Sequence, residues 1–142
     1  MRPPILVDMD TAVSATVSKV YLVDAAVEVR RRLARLLGAI AGVEVAGEAE
    51  DGDAALQGIR ACDADIVVLD LRLAGGTSLE LISALSRAHP AIVKIVLTNH
   101  TARAFRDACT AAGADFFFDK TSEFDAACHT VAGIARARLT RT

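Results

Sequence analysis

The chain has 142 residues, 53% of them hydrophobic, and a formal net charge of −2. This suffices for one packed domain, and the charge balance gives no basis for a nucleic-acid partner. No apolar run reaches the ~18 residues a membrane span needs, and three scattered cysteines without CxxC or CxxH spacing argue against a zinc site or disulfide framework.

The opening "MRPPILVDMD" carries one arginine and then two acids, unlike a signal peptide, so a cytoplasmic location is expected. Residues 1–18 read as an N-terminal extension. "KVYLVD" (19–24) then reads as a strand. Val29, Leu33, Leu36, Leu37 and Ile40 follow at helical spacing. The arginine run at 30–32 lies within this segment and reads as its solvated face. "VEVAGEA" (43–49) is a second strand, and Asp51 caps a helix through Cys62. "DIVVLDL" (65–71) is a continuous apolar run, as a strand buried on both faces requires. Thr77 and Glu80 have capping-box spacing for a third helix ending near His89-Pro90. "AIVKIVLT" (91–98) is the fourth strand. The helix "TARAFRDACTAAG" (101–113) stops at Gly113. "DFFFD" (115–119) is the fifth strand, and Ser122 with Asp125 opens a last helix. Its inner face carries Phe124, Cys128, Val131 and Ala135.

Strict strand–helix alternation predicts an α/β fold: a doubly wound, three-layer parallel sheet with helices on both faces. The three cysteines fall among alanines on helices and read as small buried hydrophobes. Only three cations are lysines, Lys19, Lys94 and Lys120, which marks each of them in an arginine-rich chain.

In such sheets, ligands bind beyond the carboxyl ends of the strands. Those ends carry Asp24, Asp70, Thr98 and Lys120. Two carboxylates, a hydroxyl and an ammonium on one rim suit phosphoryl chemistry with a Mg²⁺ ion. Singly, each residue is ordinary: an Asp after a strand is a common turn former, and Thr favours strands. Their coincidence on one rim is what points to a site.

From about Lys19 to Ala137 the chain resembles the receiver domains of bacterial two-component response regulators. "VVLDLRLAGG" resembles the phosphoacceptor strand and loop, "IVLTNH" the fourth strand, "AGADFFFDKTSEF" the fifth strand, and "GEAEDGDAAL" the second strand and helix. The "TNH" and "DKTSEF" variants look most like receivers that usually precede a helix-turn-helix output domain. The resemblance implies a (βα)5 flavodoxin-like fold with sheet order 2-1-3-4-5. It divides the chain into the extension 1–18, a receiver domain 19–137 and a short polar tail 138–142, with no room for a DNA-binding domain. It implies a signalling module and not an enzyme.

The resemblance also assigns roles. Asp70 would take a phosphoryl group from a sensor histidine kinase or a phosphotransfer protein. Mg²⁺ would be held by Asp24, Asp70 and the backbone carbonyl of Arg72. Thr98 and Lys120 would hold the phosphoryl group, and Phe117 would turn with Thr98 as a switch; its other reading is ordinary core packing. The face formed by the fourth helix, fifth strand and fifth helix would contact a downstream protein or form a homodimer.

The chain departs from the family pattern at Ala25, where a second acid normally follows the first; at Ala74 and Ser78, usually Pro and Gly; and at Thr121, often Pro. Weakened Mg²⁺ binding is the expected consequence of Ala25. Glu28, one turn into the first helix, could reach toward the metal or simply face solvent. Two other readings stand beside this one. A receiver fold that no longer switches by phosphorylation would act as an interaction module. Asp8 and Asp10 in "ILVDMDTAV", with "VLTN", resemble the motifs of haloacid-dehalogenase-type phosphatases.

Overall fold

The computed structural model of the chain describes residues 17–140; the acids Asp8 and Asp10 and residues 141–142 lie outside them. Five strands, β1 (Ser18–Val23), β2 (Val43–Ala49), β3 (Ile66–Leu69), β4 (Val93–Thr98) and β5 (Phe116–Asp119), form one parallel sheet in the order β2-β1-β3-β4-β5. Between and after them lie α1 (Val27–Gly38), α2 (Gly52–Cys62), α3 (Leu79–Ala88), α4 (Arg103–Ala112) and α5 (Phe124–Thr140). This is the expected flavodoxin-like order.

Alternation along each strand divides the core in two. Tyr21, Val23, Val67, Leu69 and Val96 face α2, α3 and α4, where Ile59, Ile82, Leu85 and Cys109 are buried against them. Val20, Leu22, Ile66, Val68, Ile95 and Leu97 face α1 and α5, against Leu33, Leu37, Phe124 and Val131. Every residue of β3 is buried, which explains its unbroken apolar run. Each buried Leu or Ile contributes about 1.5–3 kcal/mol, so the sheet centre is the firmest base available for a site.

The caps follow local chemistry in part. Asp51 Oδ1 accepts from Ala54 N at 2.8 Å, as its position predicts. Gly113 ends α4 at φ +115, where a side chain is strained. The Thr77–Glu80 capping box does not form. Thr77 instead pairs with Arg72 in a short antiparallel ribbon, Arg72–Leu73 against Gly76–Thr77, and Ser78 becomes the N-cap without a side-chain bond. The ribbon turns on Gly75 at φ +84, a backbone state glycine adopts freely. Nor does Ser122 cap α5. Its N–H goes to Asp119 Oδ1 at 3.2 Å, while Glu123 Oε1 accepts from Asp119 N at 2.9 Å, so Asp119 and Glu123 close this turn between them.

Asp65 and Asp115, expected as first residues of strands, lie just before them for one shared reason. Asp65 Oδ2 accepts from Lys19 N, and Asp115 Oδ2 from Lys94 N, each at 2.8 Å. The side chains thus close the open end of two neighbouring strand pairs. The side chains of the two marked lysines stay at this end of the sheet. Lys19 Nζ donates to Cys62 O at 3.3 Å. Lys94, buried, donates to Ile92 O at 3.0 Å and pairs with Asp115 at 3.5 Å. Helix α5 continues through Thr140, into the stretch read as a polar tail.

Candidate functional site

The sheet itself delivers the two acids. Asp24 follows β1, and its N–H is held by Ala49 O at 3.1 Å; Asp70 follows β3, and its N–H is held by Val23 O at 2.9 Å. Lys120 follows β5 with its N–H on Thr98 O at 2.9 Å. The ends of β1, β3 and β5 therefore converge on one rim, with β4 lying between β3 and β5. Lys120 Nζ donates to Asp24 Oδ2 at 2.7 Å and to Asp70 Oδ2 at 2.6 Å. The side chains are 5% exposed for Asp24 and 13% for both Asp70 and Lys120. In this shielded place charge-assisted hydrogen bonds are strong. Burial alone pushes the Lys120 ammonium down. Hydrogen bonds to Asp24 and Asp70, with their charges, outweigh that, and its pKa lies above the ordinary lysine value.

The two carboxylates are not equivalent. Asp24 Oδ1 accepts from Ala26 N at 2.8 Å, so both of its oxygens are engaged. Asp70 Oδ1 is buried and has no partner. A buried carboxylate oxygen without a partner is an exception in folded proteins and marks the place where a ligand or reacting group would be accommodated.

Thr98 is fully buried at the end of β4, and its Oγ1 accepts from His100 N at 3.2 Å. The β4 and β5 loops are joined where Thr121 Oγ1 donates to Asn99 Oδ1 at 3.0 Å. Phe117 packs on the α4 side of the sheet, with the Arg106 guanidinium 4.5 Å from its ring centre. Arg72 lies in the ribbon two residues after Asp70, its side chain exposed. Ala25 and Glu28 are exposed, and Glu28 joins no part of the cluster. Cys109 is buried, Cys62 and Cys128 partly so; all three are free, and burial pushes their thiols up.

One reading of the arginine run needs correction. Arg31 and Arg32 are exposed, and Arg32 lies 3.9 Å over the Phe124 ring. Arg30 is not a solvated residue: its side chain is 13% exposed. Its Nη1 donates to Asp24 O and its Nε to Glu48 Oε1, both at 2.6 Å. Helical periodicity cannot reveal this, because both acceptors come from other elements. The available signal was the place of Glu48 near the end of the strand beside β1.

The response regulator receiver domain model matches residues 20–132. The chain belongs to this family. It is 35% identical over 109 residues to the nitrate/nitrite response regulator protein NarP of Escherichia coli K12, covering 77% of this chain and 51% of that one. It is 40% identical over 83 residues to the transcriptional activator DevR/DosR of Mycobacterium tuberculosis, covering 58% and 38%. The chain thus spans about half, or less, of the length of these curated relatives. Among solved structures it resembles the receiver domain of the putative response regulator NarL from M. tuberculosis (TM-score 0.75, 27% identity, 84% of this chain and 97% of that one). It also resembles a LuxR-family regulator from Aurantimonas sp. SI85-9A1 (TM-score 0.71, 29% identity, 82% and 86%). A CheY-like receiver from Methanospirillum hungatei shares the fold (TM-score 0.77, 17% identity, 89% and 99%). A receiver domain is a signalling module, not an enzyme.

Receiver domains typically bind Mg²⁺. Among the described residues no three His, Cys, Asp or Glu side chains gather as a metal cluster; the rim offers two acids. Mg²⁺ takes oxygen donors, keeps several waters and needs few protein ligands. Two convergent carboxylates, one with an unpartnered oxygen, fit such an ion. No helix among the described residues is long and apolar enough to cross a membrane. The phosphatase resemblance at Asp8 and Asp10 lies outside the described residues, and the family match begins after it.

Proposed function

We propose that this receiver domain, residues 19–137, accepts a phosphoryl group on Asp70 from a histidine kinase or phosphotransfer protein. The observation that carries this is the asymmetry of Asp70: Lys120 holds Oδ2, while Oδ1 is buried and unengaged. In the transfer, the bond from Asp70 Oδ1 to phosphorus forms as the histidine nitrogen–phosphorus bond breaks. The nitrogen leaves with the electron pair and takes a proton from solvent. Lys120 stands beside the new phosphoryl group, and the Thr98 hydroxyl proton is free to donate to a phosphoryl oxygen. Phe117, under Arg106, is then the ring that responds when Thr98 moves.

Asp24, Asp70 and the Arg72 carbonyl would hold Mg²⁺. When bound, Mg²⁺ neutralises charge that builds on the phosphoryl oxygens. Ala25 stands where receivers carry a second acid, so this is a degenerate acidic pair, and we assign it weakened metal binding. The α4–β5–α5 face is the assigned docking surface for a downstream protein or a second copy. Phe116 is 40% exposed there and stacks on Phe118 along the edge strand. Phe116→Asp should then weaken self-association or partner binding; unchanged association would remove the proposal.

Ala25 also supports a second reading, an interaction module that is not phosphorylated. Acetyl phosphate with Mg²⁺ separates the two. A mass gain of about 80 Da on Asp70, absent in Asp70→Asn, supports phosphoryl acceptance. No adduct at any Mg²⁺ concentration supports the module.

A further inference from the structure

We propose that Arg30, braced by Glu48, is a positioning residue for Asp24 and thereby for the whole acid–ammonium cluster. This rests on the reading of the rim as a phosphoryl-accepting site. Within the connection from β1 to α1 the side-chain fastening is that of Asp24 itself, whose Oδ1 accepts from Ala26 N at 2.8 Å; the N-cap Ala26 makes no side-chain bond, and Ala25 has nothing to offer. The Asp24 backbone is held from outside the turn. Arg30 Nη1 grips the Asp24 carbonyl at 2.6 Å, and the Arg30 N–H returns to Ala26 O at 3.2 Å.

The guanidinium is a rigid fork, so one side chain can tie two elements at fixed geometry. Its other prong is fixed by Glu48 on β2, next to Ala49, whose carbonyl already holds Asp24 N. The end of β2 therefore holds Asp24 twice, once directly and once through Arg30. The Glu48 carboxylate also balances the guanidinium charge. Arg30 can thus order the turn without adding net positive charge beside a cation site.

Ala25 makes this matter more. With no second acid in the turn, Asp24 supplies one of only two carboxylates, and its orientation decides whether both point at one centre. Lys120 reports that orientation by reaching both at 2.6–2.7 Å.

The test uses Arg30→Met, Arg30→Lys and Glu48→Gln beside the parent. Mg²⁺ affinity of the unphosphorylated protein is read by calorimetry or NMR shifts, the Mg²⁺ dependence of acetyl-phosphate labelling by mass, and stability by urea. Arg30→Met should weaken Mg²⁺ binding roughly tenfold and raise the half-saturating Mg²⁺ for labelling by the same factor. The Glu48 side chain is 42% exposed, so Glu48→Gln should leave the fold in place and give a smaller shift in the same direction. Arg30→Lys should recover only part, because one ammonium cannot reproduce the fork. Parental Mg²⁺ affinity in both Arg30→Met and Glu48→Gln overturns the proposal, as does full rescue by lysine or a parent that binds no Mg²⁺. A parent that binds Mg²⁺ but takes no phosphoryl group overturns the Asp70 reading and leaves the affinity comparison to decide on Arg30.

Discussion

Lys120 and Asp70 are fifty residues apart in the chain, and in the fold Lys120 Nζ donates to Asp70 Oδ2 at 2.6 Å. The same ammonium reaches Asp24, ninety-six residues away. One cation therefore joins the ends of β1, β3 and β5, and it is the only cation hydrogen-bonded to either carboxylate among the described residues. Lys120→Met removes it and leaves two shielded carboxylates facing each other. Breaking a buried pair this way costs about 3 kcal/mol. A lower urea midpoint is expected, with Mg²⁺ restoring more stability to the variant than to the parent. Equal midpoints would show that the cluster contributes nothing to stability.

The pH dependence of that contribution has a definite sign. The Lys120 pKa is raised in the folded chain, since bonds and charges from Asp24 and Asp70 outweigh burial. A raised lysine stabilises fully below its unfolded value, about 10.4, and the contribution fades as pH climbs through the folded value. Cys62, Cys109, Cys128 and Tyr21 are also raised, by burial first, and they too favour the folded state less at high pH. The difference between parent and Lys120→Met isolates the lysine. That gap in stability should be flat from neutral pH to about pH 10 and narrow above it. A gap that widens with pH would contradict the assignment.

The rim was legible in the sequence because its residues end apolar runs. "IVVL" before Asp70 and "IVL" before Thr98 mark strands buried on both faces, and strand ends carry sites. The layers followed from the alternation of strands and helices, and the sheet order from the family resemblance. Arg30 escaped for a physical reason: periodicity sorts a helix into wet and dry faces, and it cannot see a carbonyl and a carboxylate arriving from β1 and β2. Thr77 escaped because two glycines let the chain fold into a ribbon before α3. Asp65 and Asp115 look like strand residues until the amide donors they accept from are known.

Tyr21 offers a test of the packing beneath the site. Its ring lies between Gly47 on β2 and Gly58 on α2, and its hydroxyl donates to Glu48 O at 3.2 Å. A Cβ at Gly58 would collide with that hydroxyl. Alanine gains about 1 kcal/mol of helix propensity over glycine, while overpacking costs about 1–3 kcal/mol. Gly58→Ala should therefore be neutral to destabilising by up to about 2 kcal/mol. Adding Tyr21→Leu should make the same substitution stabilising. A Gly58→Ala protein more stable than the parent with Tyr21 in place would mean that α2 shifts freely.

Ala25→Asp tests the proposed degenerate acid pair directly. Ala25 is exposed beside Asp24, so an aspartate fits there without burial. Mg²⁺ takes few protein ligands, which makes one added carboxylate a large fractional gain. Unit charges ~4 Å apart at an effective dielectric of ~20 attract by about 4 kcal/mol, and loss of a coordinated water offsets part of this. A net gain of about 1.4–3 kcal/mol corresponds to roughly ten- to a hundredfold tighter Mg²⁺ binding. Labelling by acetyl phosphate should then saturate at correspondingly lower Mg²⁺. The added charge also competes for Lys120, so the urea midpoint without metal should change little while the midpoint with Mg²⁺ rises. Equal Mg²⁺ affinity in Ala25→Asp and parent would mean that Asp24, Asp70 and the Arg72 carbonyl already complete the site, and the idea of a weakened receiver would fall.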